Sequence, residues 1–565
     1  MTTLIDRIGK TYDEVPYTSA AFHVSAPEHL RAVAHLFGLE APALEGARVL
    51  ELGCAAGGNL VPFAVRHPGA DVVGIDLSPR QIEAGRRAVE AMGLQNVRLI
   101  QGSLTDLGAD LGQFDYILCH GVYSWVPEDV RAAVLRVCNE RLTADGIAYV
   151  SYNTYPGWKA KEIVRDAMLL RGGDRADAGE QLAYARGMVE FLHEQAAPGS
   201  VLSTVMNEHI GLIRDGEDFY LSHEYLELCN APCYFRDFIA AARGQGLEYL
   251  GDATVASMFP RNYGPIAAPA LVAECGGDQV MLEQLMDFLQ NRAFRQSLLV
   301  RADRGPQIRY QLEPDRIASL HVAGRYAHTD TQDDGSERWA SMGGAHITTR
   351  SPITRAVLER LTAAWPATVP VAELLDGIAM DDAAIVLDLV SNLIVGNALR
   401  FRSEAVASGA QVERPFARGE LRALVGLGAH PMALFNEWHE SAALTPLERF
   451  LLASMDGRKD VQALVADVLQ AVEQGALTVM RDGAPLLDAD ELAASLRMQV
   501  DAALRSLQIN AMLVGAPEAS PDASASTDEG AENKPARAKP KPKGSKADAP
   551  KAASAKPAKT PRGKK

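Results

Sequence analysis

The chain has 565 residues, a formal net charge of −16, 47% apolar and 23% charged residues, a globular composition long enough for several domains, because single cores seldom grow beyond about 250 to 300 residues. No stretch of about 18 uncharged apolar residues argues for a membrane span, the start MTTLIDRIGKTYDEV lacks the basic and apolar regions of a secretory signal, and six scattered cysteines form no disulfide framework, so a cytoplasmic protein is expected. Cys229 and Cys233 stand at loose metal spacing in CNAPC, but without a second CxxC or paired histidines no metal is expected.

Residues 1–47 contain Tyr12, Tyr17, Phe22 and His23, then APEHLRAVAHLFGL, whose Leu30, Val33, Ala34 and Phe37 share one helical face. This segment reads as a helical lid over a core spanning 48–157. Alternation in the core predicts strands near 48–53, 71–75, 97–101, 114–119 and 146–152, with helices near 59–67, 79–92 and 127–141. Repeated βα alternation gives a parallel, doubly wound α/β sheet.

The segments VLELGCAAGGNL (49–60) and VVGIDLSP (72–79) carry the strongest chemical signal. An apolar run with Glu51, a turn bearing Gly53, Gly57 and Gly58, and a second apolar run ending in Asp76 describe a nucleotide-binding βαβ unit. The glycines fall as GxxxGG and not as the GxGxxG that cradles a pyrophosphate. Glu51 would repel a pyrophosphate but suits the ammonium of a methionine moiety, and Asp76 suits both ribose hydroxyls. S-adenosylmethionine (SAM) is therefore the expected cofactor.

Residues 158–310 read as a helical insertion of 158–231 followed by the last core strands, one within 232–255 and one at 294–303. Two weakly similar blocks follow, within 311–410 and 411–515, each suggesting three short helices closed by a strand or wing; tandem winged-helix-like units and plain helical packing are both open. The blocks are acidic and show no basic recognition stripe, so protein contact or a homodimer suits them better than nucleic acid. From 516 to 565 the sequence is Ala, Pro, Ser and Lys, too poor in large apolar residues to offset its ordering entropy, so disorder is expected. Residues 531–565 hold twelve basic and two acidic residues, a net +10 that leaves −26 on the preceding 530. Nonspecific polyanion contact and a merely solubilising tail are both compatible with that pattern.

ELGCAAGGNL, GIDLSP, FDYILCHGVYSWVP (114–127), SYNTYPGW (151–158) and LSHEYLELCNAPCYFRDF (221–238) together resemble bacterial class I methyltransferases with a methyltransferase regulatory domain, a group that includes rickettsial protein lysine methyltransferases acting on outer-membrane proteins. The resemblance spans roughly residues 12–303, and the C-terminal blocks resemble the winged-helix region of those enzymes. It implies a Rossmann-like seven-stranded class I methyltransferase with a helical insertion, followed by a mostly α region with winged-helix-like units. It also implies SAM contacts at Glu51, Gly53, Cys54, Ala55, Asp76 and Leu77, with Gly57 in the same turn, Ser103 and Leu104 flanking the adenine, and His120 and Gly121 beside the methionine and methyl. Many class I enzymes have an aspartate where this chain has Ser103, and a serine hydroxyl accepts more weakly.

Methyl transfer from a sulfonium is an in-line displacement that requires near-attack positioning and an unprotonated acceptor. A lysine acceptor, with a usual pKa of ~10.4, must be desolvated or deprotonated first. Tyr123, Trp125, Tyr155 and Trp158 follow the fourth and fifth strands, where open α/β sheets bind ligands, and suit an amine channel, though packing is the commoner role for a tryptophan in such a turn. Asn153 in NTYP loosely resembles the polar loop residue of amino methyltransferases. His120 is the candidate general base, or else a histidine satisfied by backbone groups. His223 and Glu224 are read as helix-capping more than as substrate contacts. Transfer to a protein amine is the expected activity; methylation of a small molecule or envelope precursor, and a non-catalytic SAM-binding scaffold with a polyanion-binding tail, are the alternatives.

Overall fold

The computed structural model describes residues 18–108, 111–173, 175, 177–408, 413–478, 480–481, 484–485 and 489–515. Tyr12, Tyr17 and the basic tail lie outside the described residues.

A seven-stranded mixed sheet forms the centre. Its strands are β1 (Arg48–Leu52), β2 (Asp71–Asp76), β3 (Val97–Gln101), β4 (Phe114–Cys119), β5 (Leu142–Asn153), β6 (Leu247–Asp252) and β7 (Phe294–Arg301), in spatial order β3-β2-β1-β4-β5-β7-β6. The first five are parallel, and β7 runs antiparallel between β5 and β6. This is the class I arrangement expected from the sequence. Continuous apolar stretches such as VLEL and YILC are buried on both faces, as central parallel strands require. β5 starts earlier than expected: Leu142 pairs with Phe114, the register shifts, and regular pairing resumes at Ile147, so the turn-like TADG becomes an irregular extension of the strand.

Helices cover both sheet faces: α1 (Pro27–Leu36), α2 (Val61–Arg66), α3 (Pro79–Ala91) and α4 (Glu128–Arg141). α3 starts where Ser78 accepts from the Gln81 amide and Pro79 takes a first-turn position lacking an intrahelical partner. α1 is no loose cover, because Leu30, Val33 and Phe37 are fully buried in the sheet's own core. The part of the N-terminal segment that crosses the sheet edge is the strap at residues 18–22.

Between β5 and β6 come α5 (Gly157–Gly172), α6 (Ala178–Gln195), α7 (Val201–Asp215), α8 (Asp218–Tyr225) and α9 (Phe235–Gly244). α5 to α8 share a small core of their own around Val164, Met168, Ala185, Met206 and Tyr225. α10 (Gly264–Cys275) and α11 (Gln279–Gln290) lead into β7. There Arg295 is completely buried and bonded to Glu283 at 2.9 Å and to Asp287 at 2.8 and 2.9 Å, tying β7 to α11.

The C-terminal region holds two groupings. In the first, helices Pro352–Ala364, Val371–Leu375 and Met380–Val395 pack on a three-stranded sheet of Val369–Pro370, His321–Ala323 and Arg400–Arg402. A second three-stranded antiparallel sheet, Tyr326–Thr331, Glu337–Ser341 and His346–Thr349, was not anticipated, although the DDGS turn between its first strands is a hairpin signal. In the second grouping, helices Gly419–Gly426, Pro446–Ser454, Val461–Glu473 and Ala489–Ile509 accompany the hairpin of Leu434–Phe435 and Ser441–Ala442 and a second two-stranded pair at Met480–Arg481 and Ala484–Pro485. Thr445 and Glu448 cap the second of these helices reciprocally. Leu421, Leu451, Leu464 and Val500 share one apolar cluster with Val61 and Val65 of α2 and Ala88 of α3, so this grouping is packed on the sheet domain.

Among the described residues, no helix is long and apolar enough to cross a membrane, and no three His, Cys, Asp or Glu side chains converge as a metal-binding set.

Candidate active site

A cavity of about 480 Å³ opens at the carboxyl ends of β1, β2, β4 and β5, where the strand order reverses and doubly wound sheets bind ligands. Glu51, Gly53, Cys54, Ala55, Asp76, Leu77, Ser103, Leu104, His120, Gly121, Trp125 and Asn153 all line it.

The turn after β1 is built tightly. Gly53 has φ +78°, and a Cβ there would stand 2.3 Å from the Val122 side chain, so only glycine fits. The amides of Gly53 and Cys54 both donate to the Ile75 carbonyl, at 2.8 and 3.1 Å. Ala55 adopts φ +47°, and its amide donates to Asp76 Oδ2 at 2.8 Å while the Ser78 amide donates to Oδ1 at 2.9 Å. Asp76 thereby ties the first turn to the end of β2 while facing the cavity. Gly57 does not reach the cavity; it closes the turn from behind, its amide bonded to the Cys54 carbonyl at 2.8 Å and Leu99 at its back.

Glu51 is buried, and Asn59 Nδ2 donates to its Oε1 at 2.9 Å. Its Oε2 has no hydrogen-bond partner. Burial, with Asp76 nearby, pushes the Glu51 carboxyl up to about 8. A buried carboxyl oxygen without a partner, on a residue that lines the cavity, fits a cationic ligand group, and with Asp76 beyond it the two acceptors fit the ammonium and the ribose hydroxyls of SAM. At the far end, Ser103 engages the Thr105 hydroxyl at 2.8 Å.

His120 stacks on Phe22 with ring centroids 3.9 Å apart, and its Nδ1 lies 2.8 Å from the Tyr149 hydroxyl. Its polar partner is thus a buried tyrosine and no backbone group. Burial lowers His120 to about 4, so it is neutral near pH 7 and too weak a base to hold an amine's proton.

Two expected aromatic residues are elsewhere. The single 3₁₀ turn at Tyr123–Trp125 sends Trp125 to the cavity but Tyr123 inward, edge-on to Tyr152 and Phe238. Tyr155 faces α5, its hydroxyl donating to Glu162 and the Lys159 ammonium lying 3.7 Å from its ring centroid. Trp125 and Trp158 meet edge to face at 6.0 Å. Asn153 is positioned by Ser124 Oγ, which accepts from its amide at 2.9 Å, and its Nδ2 donates to Asn230.

Residues outside the expected set complete the wall. The strap contributes Thr18, Ser19, Ala20 and Phe22; α5 contributes Lys161, and α8 contributes Tyr220, His223 and Glu224. Lys161 Nζ is 2.9 Å from Glu224 and 5.1 Å from the Trp158 ring centroid. His223 Nδ1 is 2.6 Å from Glu227. His223 and Glu224 therefore face the cavity from the last turn of α8 and do not cap its start.

Three family models match in succession: a methyltransferase domain over residues 49–146, a predicted methyltransferase regulatory domain over 217–301, and the C-terminal winged-helix domain of PKMT over 413–512. An uncharacterized protein of Rickettsia prowazekii is 32% identical over 520 residues, covering 89% of this chain and 93% of its own. The structure of PKMT2 from Rickettsia typhi aligns with a TM-score of 0.79 at 28% identity, covering 88% of this chain and 99% of that one. A structure of the same protein in complex with AdoHcy aligns with a TM-score of 0.79 at 29% identity, covering 88% and 100%.

Proposed function

The chain belongs to the family of class I SAM-dependent methyltransferases that carry a methyltransferase regulatory domain, and from that premise we propose that its acceptor is the side-chain amine of a protein lysine. SAM is the methyl donor and supplies an electrophilic methyl group on a sulfonium. In this reading Glu51 receives the cofactor's ammonium, Asp76 its ribose hydroxyls, and Ser103 and Leu104 flank the adenine. His120 and Gly121 lie beside the methionine part, with Phe22 holding the His120 ring in place.

The observation that carries the lysine assignment is the seat of Lys161. An alkylammonium already rests there against Trp158 and Glu224 in the cavity wall, so an acceptor lysine that displaces Lys161 would meet the same contacts. Aromatic faces attract the cation through the ring quadrupole. The same apolar walls disfavour the charged form of the acceptor, and Glu224 offers an oxygen that can accept a hydrogen bond from the amine. The likeness to PKMT2 from Rickettsia typhi supports the same reading.

Incubation of the purified protein with methyl-labelled SAM and a cell lysate tests this, with Asp76→Ala and Gly53→Arg variants as blanks. Variant-sensitive label on lysine in protein bands is expected. Label confined to the small-molecule fraction would replace the protein acceptor with a metabolite. In the same assay Glu224→Gln is expected to lower acceptor kcat/KM by about 10 to 100-fold, the range of one acid–base or charge contact, while SAM affinity stays within twofold.

A further inference from the structure

The second C-terminal grouping reaches Asn59, a residue of the cavity wall, through the side chain of His439. His439 sits on the loop of the hairpin formed by Leu434–Phe435 and Ser441–Ala442, fully buried, with φ +61°. Its neighbour Trp438 anchors the loop by donating from Nε1 to the Pro366 carbonyl at 2.9 Å. His439 Nε2 lies 2.9 Å from the Asn59 carbonyl and 3.2 Å from Asn59 Oδ1, both acceptors, so Nε2 carries the proton. Nδ1 then accepts from Arg66 Nη2 at 2.8 Å, and Arg66 is itself held by Glu28 at 2.8 and 2.9 Å. A single neutral tautomer satisfies both ring nitrogens.

Asn59 Oδ1 also receives the Phe22 amide at 3.1 Å and the Ser25 hydroxyl at 3.0 Å. With those donors and His439 directed at Oδ1, the amide cannot flip, and Nδ2 must point at Glu51 Oε1. That bond fixes the carboxyl group of this cavity-lining residue so that Oε2 is the oxygen left without a partner. We propose that His439 of the C-terminal grouping is a positioning residue for SAM, acting through Asn59 to orient Glu51. The proposal rests on the placement of the cofactor's ammonium at Glu51, and it gives this grouping a role in the methyltransferase site itself.

Calorimetric titration of the full-length protein with SAM tests it. His439→Ala is expected to raise the SAM Kd about tenfold, the size of one buried hydrogen bond. His439→Gln, which keeps one donor and one acceptor, is expected to restore affinity to within about threefold of the parent. Leu464→Ala, a buried truncation in the same grouping outside this chain of hydrogen bonds, is the stability control, expected to lower Tm without changing Kd. In a double-mutant cycle, His439→Ala and Asn59→Ala are expected to be strongly non-additive. Equal loss of affinity in Leu464→Ala, additivity in the cycle, or a His439→Ala Kd within twofold of the parent would overturn the proposal. Should His439→Ala not fold, Asn59→Asp tests the same link, since it keeps the acceptor but sets an oxygen against Glu51; unchanged affinity in it overturns the relay. Glu51→Ala separates the two layers, because unchanged affinity there unseats the cofactor placement and not the relay.

Discussion

On the proposed placement of the cofactor, Glu51 meets two demands that pull its chemistry in opposite directions. Without ligand, burial raises its carboxyl to about 8, so the native chain keeps a proton that the unfolded chain releases near 4.5. Native stability from this group therefore falls as pH rises between those values, because only the folded state still binds the proton. A bound ammonium reverses the preference by pairing with the carboxylate. SAM affinity is thus expected to tighten as pH rises toward 8, by up to about tenfold per pH unit, and Glu51→Gln to weaken binding by about 10 to 100-fold and flatten that dependence. Calorimetry across the range checks both. His120 gives the complementary expectation. Lowered to about 4, it does not titrate near neutrality, so pH–rate profiles of the parent and His120→Gln should run parallel between roughly pH 6 and 9, rising with the free fraction of the acceptor amine. A limb near 6.5 present only in the parent would return His120 to proton transfer.

At the scale of elements, β7 depends on its ion cluster. Arg295→Met would leave Glu283, Asp287 and Asp252 buried around an uncharged side chain, and a loss of about 3 to 5 kcal/mol is expected from denaturant unfolding. The strands themselves were legible because parallel central strands write themselves as apolar runs closed by glycine and aspartate, as in VLELG and VVGID. The meander at residues 326–349 was missed because its strands are largely exposed and polar, with only Tyr326, Trp339 and Ser341 buried, so no apolar alternation marks them. The aromatic segment near 123–158 shows a second limit. Which side chain of a 3₁₀ turn faces a cavity depends on a rotation that residue type does not encode, and so Trp125 faces the cavity while Tyr123 is packed inward.

On the scale of the whole molecule, the cavity wall comes from stretches far apart in the chain: the strap, the ends of β1, β2 and β4, and helices α5 and α8. Glu51, Gly53 and Asp76 were readable because one local βαβ unit sets them. Asn59, Phe22, Lys161 and His439 were not, since each acquires its place only from a partner in another part of the chain. The strap illustrates this: the Ser19 amide donates to the Pro431 carbonyl at 2.7 Å, Ser19 O accepts from the Ala433 amide at 2.9 Å, and the Gly58 amide donates to Ser19 Oγ at 2.7 Å. A chain ending at residue 412 would lose the anchors at Pro431 and Ala433 and uncover Val61, Val65 and Ala88; it is expected to bind SAM at least tenfold more weakly and to aggregate, as calorimetry and light scattering would report. The same bridge orders events in time. Ala21 and Ser441, bonded at 2.8 Å, are 420 positions apart, so at about 5 to 20 residues per second the strap waits roughly 20 to 80 s on the ribosome for its partner. Throughout that interval the strap lacks its Ser441 partner, and this wall of the cavity is held by the N-terminal part of the chain alone.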